Sequence, residues 1–257
     1  MRLAITTRGS GRDLVLIHGW AMHGGIFAPL VEALSTHFRV HAVDLPGHGD
    51  SRDHEPGDLD PARCAQAIAT ATPPAIWLGW SLGGLVAMQA ASSDPRHVRA
   101  LVVVAGSPRF VVAEDWPHGV PAAVFAEFGA ALETRFDHAI ERFLALETLG
   151  SPHAHEELRA LRAAVFAKGP PALDALREGL AVLDRSDLRA ALADLRVPSL
   201  WIGGRRDRLV APAALRWAAA QSPLARYLEL PSGHAPFLGH APDIAAAMRE
   251  LAATVPA

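Results

Sequence analysis

The sequence predicts an α/β fold, a mostly parallel sheet flanked by helices and interrupted once by an all-helical insertion. Three observations carry this. Short, continuously apolar runs alternate with helical stretches, the pattern of a parallel sheet covered on both faces. Over residues 109–195 the alternation stops and apolar residues recur only at helical spacing. At one strand end, Gly79-Trp80-Ser81-Leu82-Gly83 lies between an apolar run and an apolar helix, so a serine sits on a sharp strand-to-helix turn.

Taken in order, Leu14-Val15-Leu16-Ile17 reads as a strand buried on both faces and ends at His18-Gly19-Trp20. A helix is expected over residues 26–36. Val40-His41-Ala42-Val43 is the next strand, closed by the turn-rich Asp44-Leu45-Pro46-Gly47-His48-Gly49-Asp50-Ser51. Residues 62–72 read as a helix, then residues 75–78, 100–105, 199–202 and 227–230 as strands.

The insertion has its own period. Val124, Phe128, Leu132, Phe136, Ile140 and Phe143 with Leu144 follow a helical stripe, continued by Leu158, Leu161, Val165, Leu173, Leu176, Leu180 and Leu183. Gly150-Ser151-Pro152 and Gly169-Pro170-Pro171 divide it into three or four helices. The expected organisation is therefore a core of residues 1–108 and 196–257 with a helical lid at 109–195. At the carboxyl end of the sheet the lid covers the serine.

Composition narrows the function classes. The 257 residues suit one α/β domain with an insertion, and a net charge of −3 with half the residues apolar argues against disorder and against nucleic acid as a partner. All 24 basic residues but Lys168 are arginine, so arginine by itself carries little meaning. Cys64 is the sole cysteine, which excludes an intrachain disulfide. The first strong apolar run is too short for a signal or membrane segment, and a soluble cytoplasmic protein without membrane contact is expected.

A serine hydroxyl becomes a useful nucleophile only with a base, and the base needs an orienting acid. Asp207 lies in the loop after the strand at 199–202, and His234 lies after the last strand. With Ser81 they form a candidate triad, His234 as general base and acid and Asp207 fixing its tautomer. The order Ser, Asp, His is that of the α/β-hydrolases. The backbone N–H groups of Leu82 and Trp20 are the expected oxyanion hole, and Trp20 and Trp80 are expected to wall the acyl pocket. His37 with His41, or His153 with His155, lacks a third ligand at metal-binding spacing, so no metal is expected.

His18-Gly19-Trp20, the 44–51 turn, Trp77-Leu78-Gly79-Trp80-Ser81-Leu82-Gly83-Gly84-Leu85 and Gly233-His234-Ala235-Pro236-Phe237 together resemble the α/β-hydrolase superfamily over almost the full chain. Within it, Ile76 to Ala87, Glu114-Asp115-Trp116-Pro117 and Glu141-Arg142-Phe143-Leu144-Ala145-Leu146-Glu147 are most similar to the family of pimeloyl-[acyl-carrier protein] methyl ester esterases of biotin synthesis. The resemblance implies a serine esterase, without cofactor, that removes the methyl group masking the far carboxylate of a pimeloyl chain on acyl-carrier protein. It maps substrate contacts to Trp20, Ser81, Leu82, Phe143, Leu144, Ala145, Leu146, Glu147 and His234. Where the family's pattern has glutamine this chain has Glu147, and a carboxylate there would disfavour the product anion.

The same resemblance implies docking of the acidic carrier through lid arginines, matched here by Arg142 and Arg159, with Arg162 one turn beyond Arg159. Two further basic positions of the pattern are His138 and His155, which weakens the surface at neutral pH. Pairing with neighbours such as Glu156 and Asp137 is the alternative role for these arginines. A monomer is expected. A broader short-chain carboxylesterase or a carbon–carbon bond hydrolase would use the same triad, and a non-catalytic binding protein on this scaffold would be expected to lack it.

Overall fold

The computed structural model describes residues 1–255, so the last two positions of the expected core lie outside the described residues. Its strands are β1 (Ala4–Arg8), β2 (Arg12–Ile17), β3 (Phe38–Asp44), β4 (Ala75–Trp80), β5 (Val98–Val104), β6 (Ser199–Gly204) and β7 (Ala225–Leu230). They form one sheet in the order β1-β3-β2-β4-β5-β6-β7. All neighbours are parallel except β1, which pairs antiparallel with β3 from Ala4↔Asp44 to Arg8↔Val40.

Burial explains why the central strands form where they do. β4 and β6 are buried at every position, and Leu14 to Ile17 of β2 and Ala100 to Val104 of β5 are fully covered. Such strands need apolar residues on both faces, hence continuous runs instead of alternation. β1 differs. Its sequence AITTR has no apolar run and is half exposed at the sheet edge, which is why the sequence pattern passes over it.

The core helices are α1 (Ala28–Leu34), α2 (Pro61–Ala71), α3 (Leu82–Ser93), α8 (Pro212–Gln221) and α9 (Ala241–Ala253). The steps β2 to β3 and β3 to β4 cross the sheet in opposite directions, so right-handed crossovers put α1 and α2 on opposite faces. α9 packs against α1, and α3 against α2, β4 and β5. Asp60 caps α2 by accepting the N–H groups of Ala62 and Arg63, with Pro61 as the first helical residue.

Between β5 and β6 lie α4 (Ala122–Thr134), α5 (Phe136–Thr148), α6 (Ala154–Phe166) and α7 (Leu173–Arg185). α4 packs on α5 and α7, and α5 on α6. The interval is not helical throughout. Its first stretch is a bridged loop pairing Val111 with Val120 and Ala113 with Trp116. Trp116 anchors it, buried against Trp217 and donating its indole N–H to the Arg109 carbonyl.

Side-chain and backbone contacts tie α6, α7 and their connection to the core. His23 Nε2–H donates to the Ala164 carbonyl, Lys168 Nζ to Asp44, the Ala172 N–H to the Gly47 carbonyl and the Trp20 indole to the Leu176 carbonyl, while His54 meets Glu178. The chain's one lysine thus holds a buried carboxylate. Asp44 also accepts the N–H groups of Gly24 and Asp50. Burial raises its pKa, but these amides and the ammonium outweigh that and leave it below the usual carboxylate range.

β4 and α3 approach closely. A Cβ on Gly79 would lie 2.1 Å from the Gly83 carbonyl oxygen. Gly79→Ala is expected to destabilise by at least about 3 kcal/mol, because backbone must move to admit it. In a chain of this length that is a fall in Tm of roughly 6–12 °C, readable by calorimetry.

Candidate active site

β4 ends at Trp80 and α3 begins at Leu82, leaving Ser81 alone to turn the chain. Its φ of 54° and ψ of −118° are strained for a residue with a Cβ. Two bonds hold it there: the Ser81 N–H donates to the Val104 carbonyl at 3.0 Å, and its carbonyl accepts from the Gly84 N–H at 2.9 Å. The turn closes only because Gly83 has no side chain, since a Cβ would lie 2.3 Å from the Ile17 carbonyl oxygen.

The structure brings Ser81, His234 and Asp207 together. His234 Nε2 lies 2.9 Å from Ser81 Oγ, and His234 Nδ1 lies 2.8 Å from Asp207 Oδ2. The other carboxylate oxygen, Asp207 Oδ1, accepts the N–H groups of Leu209 and Val210 at 2.8 and 2.9 Å. An acceptor-only carboxylate fixes the proton on Nδ1, so Nε2 is the lone pair that faces the serine hydroxyl. The side chains of His234 and Asp207 are inaccessible, and Ser81 is 1% exposed.

The loops carrying the acid and the base are themselves interlocked. A Cβ on Gly204 would sit 2.0 Å from the Gly233 carbonyl oxygen, so the ends of β6 and β7 touch. The His234 N–H donates to the Glu147 carbonyl of α5 at 2.9 Å, and the His234 carbonyl accepts the Trp80 indole N–H at 2.8 Å. Trp80 therefore supports the histidine, packed against Phe27 and Phe237.

Both expected oxyanion donors border the serine. Leu82 is the first residue of α3, where an N–H has no intrahelical acceptor. The Trp20 N–H makes no hydrogen bond among the described residues, and Gly19 beside it packs directly on Ser81 Cβ. His18 fixes this loop: Nε2 accepts the Leu45 N–H and Nδ1–H donates to the Gly19 carbonyl. Burial and then the nearby His48 hold it far below the ordinary imidazole range, as the neutral form that this bonding needs. The motif His18-Gly19-Trp20 contained this histidine, but nothing in its spacing showed which atoms it would join.

The lid segment divides by helical period. Phe143, Leu144 and Glu147 are buried, Leu146 is half-buried and Ala145 is exposed. Five consecutive contacts are impossible on one helix face, so Ala145 is corrected to the solvent side. Phe143 stacks edge-on against Trp20, with ring centres 4.6 Å apart, and Gly179 of α7 leaves room for that indole and for Leu82. A groove of about 760 Å³ between α1 and the β1–β3 edge, lined partly by Arg8 and Lys168, includes none of the triad. The chemistry lies elsewhere.

The lid arginines are not equivalent. Arg142 pairs with Glu127 at 2.8 Å and stacks over Phe128, and Arg162 pairs with Glu141. Their partners are thus neither Glu156 nor Asp137. Arg159 is exposed and makes no ion pair among the described residues, as do His138 and His155. No group of three or more potential metal ligands occurs among the described residues, which includes the histidine pairs.

A serine on a strained strand-to-helix turn, facing an imidazole and a buried carboxylate at the carboxyl edge of a parallel sheet, is the arrangement of a serine hydrolase. The chain belongs to the α/β-hydrolase fold family, whose model matches residues 14–241. It is 54% identical over 255 residues to a pimeloyl-[acyl-carrier protein] methyl ester esterase of Stenotrophomonas maltophilia, covering 98% of this chain and 96% of that protein. The protein of the same name from Xanthomonas oryzae pv. oryzae is 54% identical over 249 residues, 96% of this chain and 98% of its own. Among solved structures, an esterase from Exiguobacterium antarcticum superposes with a TM-score of 0.87 over 98% of this chain and 96% of its own. At 19% identity, that likeness concerns the fold alone.

Asp207→Asn keeps the shape of the site but removes the acceptor that fixes the proton on Nδ1. A loss of roughly 10³- to 10⁴-fold in kcat on a small nitrophenyl ester is expected, with a far smaller change in KM.

Proposed function

We propose that this carboxylic ester hydrolase cleaves the methyl ester of a pimeloyl chain on acyl-carrier protein, releasing methanol and the free carboxylate. One observation carries the reading. The 54% identical alignment spans 255 of the 257 residues and so takes in the helical insertion along with the motif-bearing core. Inserted covers are where hydrolases of one fold differ in substrate. The resemblance noted in the sequence places the reaction in biotin synthesis.

In the proposed mechanism Ser81 Oγ attacks the ester carbonyl as its proton passes to His234 Nε2. The oxyanion is received by the N–H groups of Leu82 and Trp20, and Asp207 stabilises the imidazolium. His234 then gives the proton to the departing methoxide, leaving an acyl group on Ser81. Water, deprotonated by the same imidazole, attacks that ester, and the proton returns to Ser81 Oγ as the carboxylate leaves. Residues 109–195 act as a lid over a core formed by residues 1–108 and 196–257. Ser81 is 1% exposed, and the reading includes movement of the lid to admit substrate.

The reading includes a monomer working in the cytoplasm. No helix among the described residues is long and apolar enough to cross a membrane. Trp20, Leu82, Phe143, Leu144 and the half-buried Leu146 are assigned to the acyl chain.

Incubation with pimeloyl-acyl-carrier-protein methyl ester, followed by mass spectrometry, is expected to show loss of the methyl group that Ser81→Ala abolishes. Brisk Ser81-dependent cleavage of short nitrophenyl esters without demethylation would replace the reading with a general carboxylesterase. Carrier recognition gives a second test. Arg159→Glu is expected to raise KM for the carrier-bound ester about fivefold or more and leave small esters unaffected. Arg142→Ala and Arg162→Ala, already neutralised by Glu127 and Glu141, are expected to change it less.

A further inference from the structure

The last turn of α5 closes over the triad loops with Glu147 on its inner side. Its carbonyl accepts the His234 N–H at 2.9 Å, and Gly233 is so close that a Cβ there would lie 2.9 Å from that oxygen. Its carboxyl group is buried, and neither oxygen has a hydrogen-bond partner among the described residues. A buried carboxylate in that position would be very costly, whereas a neutral acid is tolerable.

Nothing nearby compensates a charge. From the loop after β6, Asp207 presents a second carboxylate, and Arg206 reaches instead to the Gly150 carbonyl at 3.4 Å. From the loop after β7, His234 directs its ring to Asp207 and Ser81. On α6, Glu157 is bound to Ser151 Oγ at 2.7 Å. On α4, Glu127 is taken by Arg142 and Glu133 by Arg177. Burial first, and then the charge of Asp207, push the Glu147 pKa well above the usual carboxylate range.

We propose that Glu147 is a positioning residue that works as the neutral acid: protonated, it lets the last turn of α5 close on His234, and ionised, it lifts that turn and opens the way to Ser81. The inference rests on Ser81, His234 and Asp207 acting as the triad, and not on which ester is cleaved. Opening transfers the carboxyl proton to solvent and leaves a hydrated carboxylate. The closed form binds that proton more tightly than the open form. Closure is therefore fully favoured below the ordinary carboxylic-acid range and weakens as pH rises from there towards the raised value. The limiting slope is about tenfold in the opening equilibrium per pH unit.

The test follows the rate at which a small fluorophosphonate labels Ser81 in the full chain, from about pH 5 to about pH 8, in the wild type and in Glu147→Gln. Both carry the same triad, so the ratio of their rates cancels the titration of His234. The wild-type rate relative to the variant is expected to climb by at least about tenfold over the range. A ratio that stays flat overturns the proposal. Should the variant fail to fold, hydrogen exchange of residues 144–149 in the wild type decides. Acceleration with pH steeper than the chemistry of exchange supports it, and a slope equal to that chemistry overturns it. Neither probe uses the carrier-bound ester. Failed demethylation with a rising ratio therefore removes only the substrate reading, and a flat ratio with intact demethylation removes only the role of Glu147.

Discussion

The site depends on how closely helix α3 can approach the ends of β2 and β4. With hydrogen alone at Gly79 and Gly83, the backbone of α3 meets the Gly79 backbone and the Ile17 carbonyl at distances that no side chain would allow. That approach forces Ser81 into a positive φ. The strain costs about 1–3 kcal/mol and persists because the flanking segments are closely packed on both sides. Trp77, Leu78 and Trp80 on one side and Leu85, Val86 and Ala87 on the other are all but fully buried. The same contact brings the Gly19 loop onto Ser81 Cβ and aligns the first amides of α3 with it. Nucleophile and candidate oxyanion donors thus come from one packing event.

Charge inside this shell is handled group by group. Asp207 has both oxygens occupied, one by the imidazole and the other by two amides. Asp44 is bound by two amides and an ammonium, and His18 is neutral with both ring nitrogens bonded. Satisfied in this way, buried polar groups fix geometry without a large desolvation penalty. Glu147 stands apart because its oxygens are buried and unbonded. An ordinary structural carboxylate would be placed where it could be paired or hydrated.

What could be read from the sequence follows from the range of the interactions concerned. Strands buried on both faces announce themselves as apolar runs, and the elbow by its glycines, because both are local requirements of the backbone. Asp207 and His234 could be singled out because topology places the ends of parallel strands on one edge, whatever the intervening length. β1 escaped because an edge strand with one half-covered face needs no apolar run. The bridged loop at 111–120 and the support of His234 by Trp80 escaped because they depend on partners remote in the chain. The role of Lys168 is of the same kind. A bias towards arginine made the lone lysine conspicuous without naming its partner, Asp44, 124 residues away.

The helical insertion is held to the core unevenly. Side-chain and backbone bonds from His23, Gly47, Trp20, Asp44 and the His54–Glu178 pair fasten α6, α7 and the turn between them to the core. The hydrogen bond from α5 to the core is that of the Glu147 carbonyl with the His234 N–H, and Arg206 reaches the Gly150 carbonyl just beyond its end. Towards α4, Phe143 of α5 packs on Phe128 and Arg142 pairs with Glu127, and Phe143 also meets the core at Trp20. Apolar faces can separate and repack with little loss of directional bonding, whereas α6 and α7 would have to surrender several buried hydrogen bonds.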